Sequence, residues 1–298
     1  MSRGLRLILH SFSIEKVTAI QGIYRTTGFF LIGLLPTTAD AQLCRQWSEA
    51  VRVGELQVQL TEASGLAASR QFPGRLYHIN DSGETGKFFI TGMDGKETRA
   101  VRIDGFEPED TEALSLGPCP MKDSISCVYI GDIGDNDVKR KSIEIVVVDE
   151  VRNFSPTVKP RSRLKLLYPD GPHDAESMAV HPNGDIFILT KENPARLYKA
   201  NPNAAQQTLT PVTTLQPGGK PTDMAISDDG MRLLVLTYMD AVEYSMDFKQ
   251  QQKIRLNFLQ QQESVAYLAG SRSFIYSTEQ LLQGLPQWIM KVDCKGTQ

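Results

Sequence analysis

The sequence has no excess of basic residues, since 32 lysines and arginines stand against 35 aspartates and glutamates and leave a formal net charge of −3. Proteins that bind nucleic-acid phosphates need a basic surface, so we expect no nucleic-acid partner. The chain also lacks a Gly-x-Ser-x-Gly motif and a glycine-rich phosphate loop, which leaves little support for a serine nucleophile or a nucleotide site. Helical periodicity is nearly absent beyond residue 41, which predicts an all-β fold.

Long apolar runs are scarce as well. One stretch near the N-terminus, Thr26–Leu35, follows Arg25 and ends at Pro36. It is shorter than the roughly 20 residues of a membrane helix, and Ala39-Asp40-Ala41 fits a signal-peptide cleavage site. We therefore predict a signal peptide over residues 1–41, a single domain over 42–298 with no membrane span, and a periplasmic or secreted location. A retained amphipathic anchor is the alternative.

What the sequence does contain is a short motif that returns five times, each time followed by a second apolar run. The copies are Ser64-Gly65-Leu66-Ala67, Glu112-Ala113-Leu114-Ser115, Glu176-Ser177-Met178-Ala179, Thr222-Asp223-Met224-Ala225 and Glu263-Ser264-Val265-Ala266. A period of about 40–60 residues with several short strands per unit is typical of a β-propeller. The spacing predicts an all-β propeller with five blades, or six if the long interval between Glu112 and Glu176 hides another.

The last predicted blade holds only three strands, within Val265–Val292, so its fourth strand should come from the N-terminus. Residues Glu55–Leu60 alternate between polar and apolar side chains, as a half-buried strand does. We predict that this N-terminal strand closes the ring. The preceding segment, Cys44–Val53, could form a short helix.

All four cysteines follow the predicted cleavage site, and an even number in an exported protein favours disulfides. Cys119 and Cys127 flank a predicted hairpin, whereas Cys44 and Cys294 lie at chain ends that a circular fold brings together. We predict these two pairs. A zinc site is the alternative, although the chain has no Cys-x-x-Cys motif.

The first strand of every propeller blade lines the central channel, so the acidic residues of the motif should gather at one place. The predicted metal ligands are Glu112, Glu176, Glu263, Asp132 and Asp135. The predicted ligand-binding residues are Asp81, Asn136, Lys191, Glu192, Asp223 and Glu279. Oxygen ligands suit Ca²⁺, or alternatively Mg²⁺, better than zinc. The competing interpretation is that these acids are solvated or paired with basic side chains.

Two histidines, His78 and His173, lie near the predicted channel mouth. Either could act as a general base, because the imidazole ordinarily titrates near neutral pH. The simpler interpretation is that both are hydrogen-bonded turn residues.

Several longer stretches carry a resemblance to a known family. They are Asn80-Asp81-Ser82-Gly83, Glu109-Asp110-Thr111-Glu112-Ala113, Tyr129-Ile130-Gly131-Asp132-Ile133-Gly134-Asp135-Asn136, Asp174-Ala175-Glu176-Ser177, Leu189-Thr190-Lys191-Glu192 and Gln262-Glu263-Ser264-Val265-Ala266. The chain resembles a family of exported bacterial β-propellers and, more distantly, the esterase-like phytase and calcium-dependent lactonase propellers. That resemblance implies a divalent cation near the channel mouth and hydrolysis of a small ester, lactone or phosphoester. The family commonly has Trp where this chain has Thr111, and the lactonase ligand set has no position-by-position match.

Three functions follow as hypotheses. The first is an exported, monomeric propeller that binds a divalent cation and a small-molecule or glycan-like ligand at an acidic channel mouth. The second is a metal-dependent hydrolase that uses the same acidic mouth. The third is a protein-interaction scaffold whose channel is inert.

Overall fold

The computed structural model describes residues 44–60, 62–81, 86–256, 260–278 and 286–297. All of them lie within one compact unit, Ala41–Gln298. The predicted signal peptide, residues 1–41, lies outside the described residues, as does Glu279. Among the residues described, no helix is long and apolar enough to cross a membrane.

Regular structure in the described residues is entirely β. The 23 strands found there are β1 (Cys44–Trp47), β2 (Val51–Glu55), β3 (Ala63–Ala68), β4 (Arg75–Asn80), β5 (Lys87–Gly92), β6 (Arg99–Ile103), β7 (Thr111–Cys119), β8 (Lys122–Asp132), β9 (Ile143–Asp149), β10 (Thr157–Val158), β11 (Ser162–Leu167), β12 (Ala175–Val180), β13 (Ile186–Thr190), β14 (Ala195–Ala200), β15 (Gln206–Thr208), β16 (Thr210–Leu215), β17 (Pro221–Ile226), β18 (Arg232–Thr237), β19 (Asp240–Ser245), β20 (Gln250–Arg255), β21 (Gln262–Tyr267), β22 (Ser273–Thr278) and β23 (Trp288–Thr297).

These strands form five antiparallel blades, which confirms the five-bladed propeller. The innermost strands are β3, β7, β12, β17 and β21, and each begins with one copy of the repeated motif. Each innermost strand contacts the next, and β21 contacts β3, so the ring is closed. The long interval between Glu112 and Glu176 holds no sixth blade; it holds the rest of blade two and the short strand β10.

Two short parallel strands extend blades one and two. Strand β10 leaves blade two and pairs with β6, the outer strand of blade one. Strand β15 leaves blade three and pairs with β11, the outer strand of blade two. Each covers a sheet edge that would otherwise present unpaired backbone groups, so blades one, two and three are also linked at their outer edges.

The N-terminus closes the ring, as predicted, but with different residues. Strands β1 and β2 both pair with the ten-residue strand β23 of blade five. The helix expected at Cys44–Val53 is wrong, since this segment contributes both strands. The strand expected at Glu55–Leu60 is also wrong, because that alternation reflects the burial of Leu56 and Leu60 in the core beside Leu66.

Two disulfides join the predicted pairs of cysteines. Cys44 and Cys294 connect β1 to β23 across 250 residues, with Cα atoms 5.6 Å apart. Cys119 and Cys127 close the hairpin between β7 and β8 across 8 residues. The first bond ties the two ends of the described chain within blade five.

Side chains of one blade satisfy backbone groups on the innermost strand of the next. Ser115 accepts a hydrogen bond from the N–H of Val180 at 3.0 Å. Asp223 accepts one from the N–H of Val265 at 2.8 Å. An innermost strand has a free edge, and unpaired buried backbone groups are costly, so these bonds stabilise both the strand and the contact between blades.

Candidate functional site

Each innermost strand carries a β-bulge at the first residue of the repeated motif. In blade one the ladder pairs Ala63 and Gly65 with β4 and skips Ser64 between them. The residues skipped in the other blades are Glu112, Glu176, Thr222 and Glu263. A bulge takes a side chain out of the alternation of its strand and re-aims it. The repeated motif is therefore the sequence of a bulge, and it places three glutamates, one serine and one threonine at equivalent positions of the five blades.

Four of the bulged residues, Ser64, Glu112, Glu176 and Glu263, line a cavity of about 190 Å³. Further lining comes from residues that directly follow the second strand of a blade: Asp81 after β4, Lys191 after β13 and Tyr238 after β18. Two rings of side chains thus meet at the mouth of the channel. The structure brings together five of the predicted residues there: Glu112, Glu176, Glu263, Asp81 and Lys191.

The tightest acidic group is formed by Asp81, Asp110 and Glu112. Each offers a carboxylate oxygen, and these oxygens lie within 4.8 Å of one another. Glu112 is buried, and its Oε2 accepts a hydrogen bond from Ser64 Oγ at 2.7 Å. Asp110 Oδ1 is buried and has no hydrogen-bond partner among the described residues.

The carboxyl groups of this cluster repel one another. Burial raises the pKa of Glu112 well above its usual 4.5, and the charges of Glu176 and Asp81 raise it further. Burial also raises the pKa of Asp110 to about 6, with the charge of Asp81 adding to the shift. A nearby cation favours the ionised form of such groups, so a bound cation would relieve this repulsion.

Glu176 carries its own counter-ion. Lys191 Nζ donates a hydrogen bond to Glu176 Oε1, and Tyr238 lines the same cavity. Burial raises the pKa of Glu176 to about 7, although Lys191 opposes the shift. Glu263 accepts a hydrogen bond from Gln261 Nε2 at 3.2 Å. The channel mouth therefore combines a cluster of three carboxyl groups with a glutamate–lysine pair.

The Gly131–Asp137 loop, which holds the predicted metal ligands Asp132 and Asp135, is filled by a guanidinium group. Arg140 donates two hydrogen bonds to the Asp132 carboxylate, at 3.0 and 2.6 Å, and one to the carbonyl of Gly134 at 2.7 Å. The N–H of Arg140 donates to Asp135 at 2.7 Å. The structure therefore places Asp132 and Asp135 inside this loop and does not bring them to the cluster around Glu112.

The same loop forms one wall of the acidic cluster. Asp132 accepts a hydrogen bond from the N–H of Asp110 at 2.7 Å, and Asn136 donates one to Asp110 Oδ2 at 3.3 Å. Gly134 lies so close that a Cβ atom there would be 2.4 Å from Asp110 Oδ2 and 2.9 Å from Glu112 Cγ. The glycine is needed for this close approach.

Two further predicted residues lie away from the cavity. Asp223 is fully buried between blades four and five, where it accepts backbone N–H bonds from Met224 and Val265; burial raises its pKa well above the usual value. Glu192 lies 2.8 Å from Nδ1 of His173 and forms an ion pair with Arg196 at 3.0 Å. Both residues have structural partners that account for them.

The histidines also have structural roles. His78 is fully buried within blade one and is hydrogen-bonded to Thr91 Oγ1 at 2.9 Å. Burial lowers its pKa to about 3, so it stays neutral. His173 lies between Asp170 and Glu192 and packs edge-on against Tyr168. Neither lines the acidic cavity.

Sequence reasoning missed Asp110, Arg140, Tyr238 and Ser64 as members of the site. Asp110 stands two residues before Glu112, and the bulge at Glu112 is what brings both to one cluster. Tyr238 follows its strand as Asp81 and Lys191 follow theirs. That position in the repeat would have identified Tyr238.

No known protein-family profile matches the chain, and no curated protein matches it. Among solved structures it is similar to hydrazine synthase from Kuenenia stuttgartiensis, with 12% identity, a TM-score of 0.41 and coverage of 79% of this chain and 61% of that one. It is also similar to a chain of a nidogen/laminin complex, with 11% identity, a TM-score of 0.44 and coverage of 75% and 74%. This chain thus spans about 61% of the hydrazine synthase chain. The fold assignment rests on the strand pairing described above.

Proposed function

We propose that this protein binds a divalent cation, calcium first and magnesium as the alternative, together with a small polar ligand at the acidic mouth of its channel. The observation that carries the proposal is the cluster of Asp81, Asp110 and Glu112, whose carboxylate oxygens lie within 4.8 Å of one another. The raised pKa values of Asp110 and Glu112 support it. They show that the ionised carboxylates are destabilised by burial and by one another, and a cation bound between them would stabilise the ionised forms.

The donor set suits a hard cation. Calcium takes six to eight oxygen ligands at about 2.3–2.6 Å, so two oxygens on one ion lie at most about 5 Å apart. The three carboxylates meet that limit. Magnesium binds at about 2.0–2.1 Å and would need a tighter cluster. Three carboxylates leave coordination positions for water or for ligand oxygens.

The size of the cavity limits the ligand. A volume of about 190 Å³ corresponds to about six water molecules at roughly 30 Å³ each. Pockets for drug-sized ligands are larger, at about 300–1,000 Å³. A small polyol, or the terminal unit of a glycan, fits this volume and can supply hydroxyl oxygens to the cation.

Thermal unfolding with EDTA and then with added calcium tests the cation site. At a calcium concentration 100 times the dissociation constant, binding to the folded state adds about 2.7 kcal/mol, which raises Tm by about 5–11 °C for a chain of this size. Glu112→Gln keeps the shape and the hydrogen bond from Ser64 but should lose this rise. Glu144→Gln, on the third strand of the same blade, where Glu144 pairs with Arg163, should retain it. A melting curve that neither EDTA nor calcium moves would favour an inert channel and a scaffold function.

A hydrolase is the second candidate, and one observation favours it. Glu176 lines the same cavity with a pKa raised to about 7, which is the range in which a carboxyl group serves as a general acid or base near neutral pH. A bound cation would polarise a scissile carbonyl or phosphoryl group beside it. Turnover of an aryl ester, lactone or phosphoester by the calcium-loaded protein, and its loss in Glu176→Gln, would separate this function from binding alone.

We further propose that the protein is exported, with residues 1–41 as its signal peptide and residues 42–298 as a monomeric periplasmic or secreted domain. The two disulfides support this proposal, because such bonds persist in oxidising compartments. N-terminal sequencing of the protein recovered from the cell exterior or periplasm tests it, and a chain that still begins at Met1 would contradict it.

A further inference from the structure

A second cavity lies on blade one, away from the channel, and its charge is opposite to that of the channel mouth. This groove has a volume of about 530 Å³, and its lining includes Phe72, Arg75, Ile90, Glu97, Arg99 and Arg152. Three arginines therefore face a single glutamate at the groove. Its volume falls within the range of small-molecule sites, whereas the channel cavity is smaller.

Arg75 is fixed in place by the structure around it. Its guanidinium donates hydrogen bonds to the carbonyls of Val151, at 2.8 Å, and Arg152, at 2.6 Å, and to Tyr77 OH at 3.3 Å. These bonds attach the segment after β9 to blade one. Arg75 also lies over the Phe72 ring, 4.5 Å from its centroid. One cation and one aromatic ring of the groove are thus pre-organised.

The loop that carries Phe72 is held in place by hydrogen bonds to Ser69 and, through it, to Glu150. The N–H of Phe72 donates to Ser69 Oγ at 2.8 Å, and Ser69 Oγ donates to the buried carboxylate of Glu150 at 2.5 Å. Tyr77 OH donates to the same carboxylate oxygen at 3.0 Å. Glu150 therefore fixes the loop that carries Phe72 through Ser69, and it also fixes Tyr77, which accepts a hydrogen bond from Arg75.

The other two arginines have no acidic partner in the part of the chain that the structure describes. Arg99 is exposed at the start of β6, and Arg152 is exposed with its guanidinium 5.3 Å from the centroid of Phe72. Neither forms an ion pair or a side-chain hydrogen bond with any residue that the structure describes. Most other arginines on this blade and its neighbour, such as Arg161 and Arg163, do pair with acids.

We infer that this groove binds an organic oxyanion. Arg99 and Arg152 donate hydrogen bonds to its phosphate, sulfate or carboxylate group, and Phe72 and Ile90 contact its apolar or aromatic part. Arginine recognises such groups because its planar fork can donate two parallel hydrogen bonds to them. Its guanidinium also stacks on aromatic faces. This inference is independent of the cation site in the channel.

Calorimetric titration of the purified protein with phenyl phosphate, benzoate and phenol in low-salt buffer tests the inference. We expect one molecule of phenyl phosphate or benzoate per chain and a much weaker interaction with phenol, which has the ring but not the charge. Binding of phenyl phosphate alone would identify the ligands of the groove as phosphate or sulfate esters, and binding of benzoate would identify them as carboxylates. Failure of both anions to bind, or equal binding of phenol, would overturn the inference.

Substitutions locate the site. Arg99→Ala combined with Arg152→Ala should weaken anion binding at least about tenfold, because hydrogen bonds to charged groups are the strong ones. Arg102→Ala is the matched control, since Arg102 is exposed on the same strand and does not line the groove. All three substitutions remove exposed side chains, so unchanged thermal unfolding should verify the fold. Equal affinity in the double variant and the control would overturn the assignment.

Discussion

The disulfide between the chain ends should contribute more stability than the one across the hairpin. In the chain-entropy account a crosslink restricts the unfolded state by an amount that grows with the loop it closes. For loops of 250 and 8 residues, this amounts to about 5.5 and about 2.5 kcal/mol at 25 °C. Cys44→Ala with Cys294→Ala should therefore cost about 3 kcal/mol more than Cys119→Ala with Cys127→Ala.

Urea unfolding of the two double variants, followed by tryptophan fluorescence or circular dichroism, measures this difference. If lost side-chain packing determined the cost of each double substitution, the hairpin variant would be the less stable one. Cys119 and Cys127 are both almost fully buried, whereas Cys294 is half-buried. In thermal unfolding the expected gap is about 6–12 °C, from about 2–4 °C per kcal/mol for a chain of this length. A hairpin variant that is as destabilised as the ring-closure variant, or more so, would show that loop length does not determine how much each disulfide stabilises this fold.

Three further predictions concern the site and the core. Arg140→Gln should weaken calcium binding about 10–100-fold, the range for residues that orient metal ligands, whereas Arg161→Gln, which breaks another arginine–aspartate pair, should leave the calorimetric affinity unchanged. The pKa of Asp110 is raised to about 6 from 3.8 in the folded protein. The free energy of unfolding of the metal-free protein should therefore fall as the pH rises from about 4 to about 6, because the unfolded chain loses this proton first. Protons then compete with calcium, so the rise in Tm with calcium should be smaller at pH 5 than at pH 7.5; an equal rise would contradict the assignment of Asp110 as a ligand. Arg232→Leu should cost about 3–5 kcal/mol in urea unfolding because it leaves buried Glu243 without its ion-pair partner, and a loss below about 1 kcal/mol would contradict this account.

The sequence predicts the architecture well because the propeller is a repeat. Each copy of the motif begins an innermost strand, and the apolar run after it forms the second strand. The alternation over Glu55–Leu60 predicted a strand that does not form there, because Leu56 and Leu60 are core residues in a turn rather than alternate residues of a strand. The parallel strands β10 and β15 follow from contacts between blades, which the local pattern does not contain.

The candidate site is predictable where it depends on position in the repeat. Glu112, Glu176 and Glu263 share one bulge position, and Asp81 and Lys191 share the position after the second strand. The Gly131–Asp137 loop was not predictable in the same way. An arginine three residues beyond it supplies the positive charge that its aspartates require, and sequence spacing does not distinguish that arrangement from a bound cation.

Calcium titration of the EDTA-treated protein by isothermal calorimetry measures directly whether the mouth of the channel binds a cation. We expect one ion per chain, with at least about tenfold weaker binding in Asp110→Asn and in Glu112→Gln, the order of loss expected when a charged ligand is removed. Glu144→Gln, which lies outside the cluster, should bind as the unmodified protein does. Absence of binding, or equal affinity in all of these proteins, would contradict a cation site at the mouth of the channel.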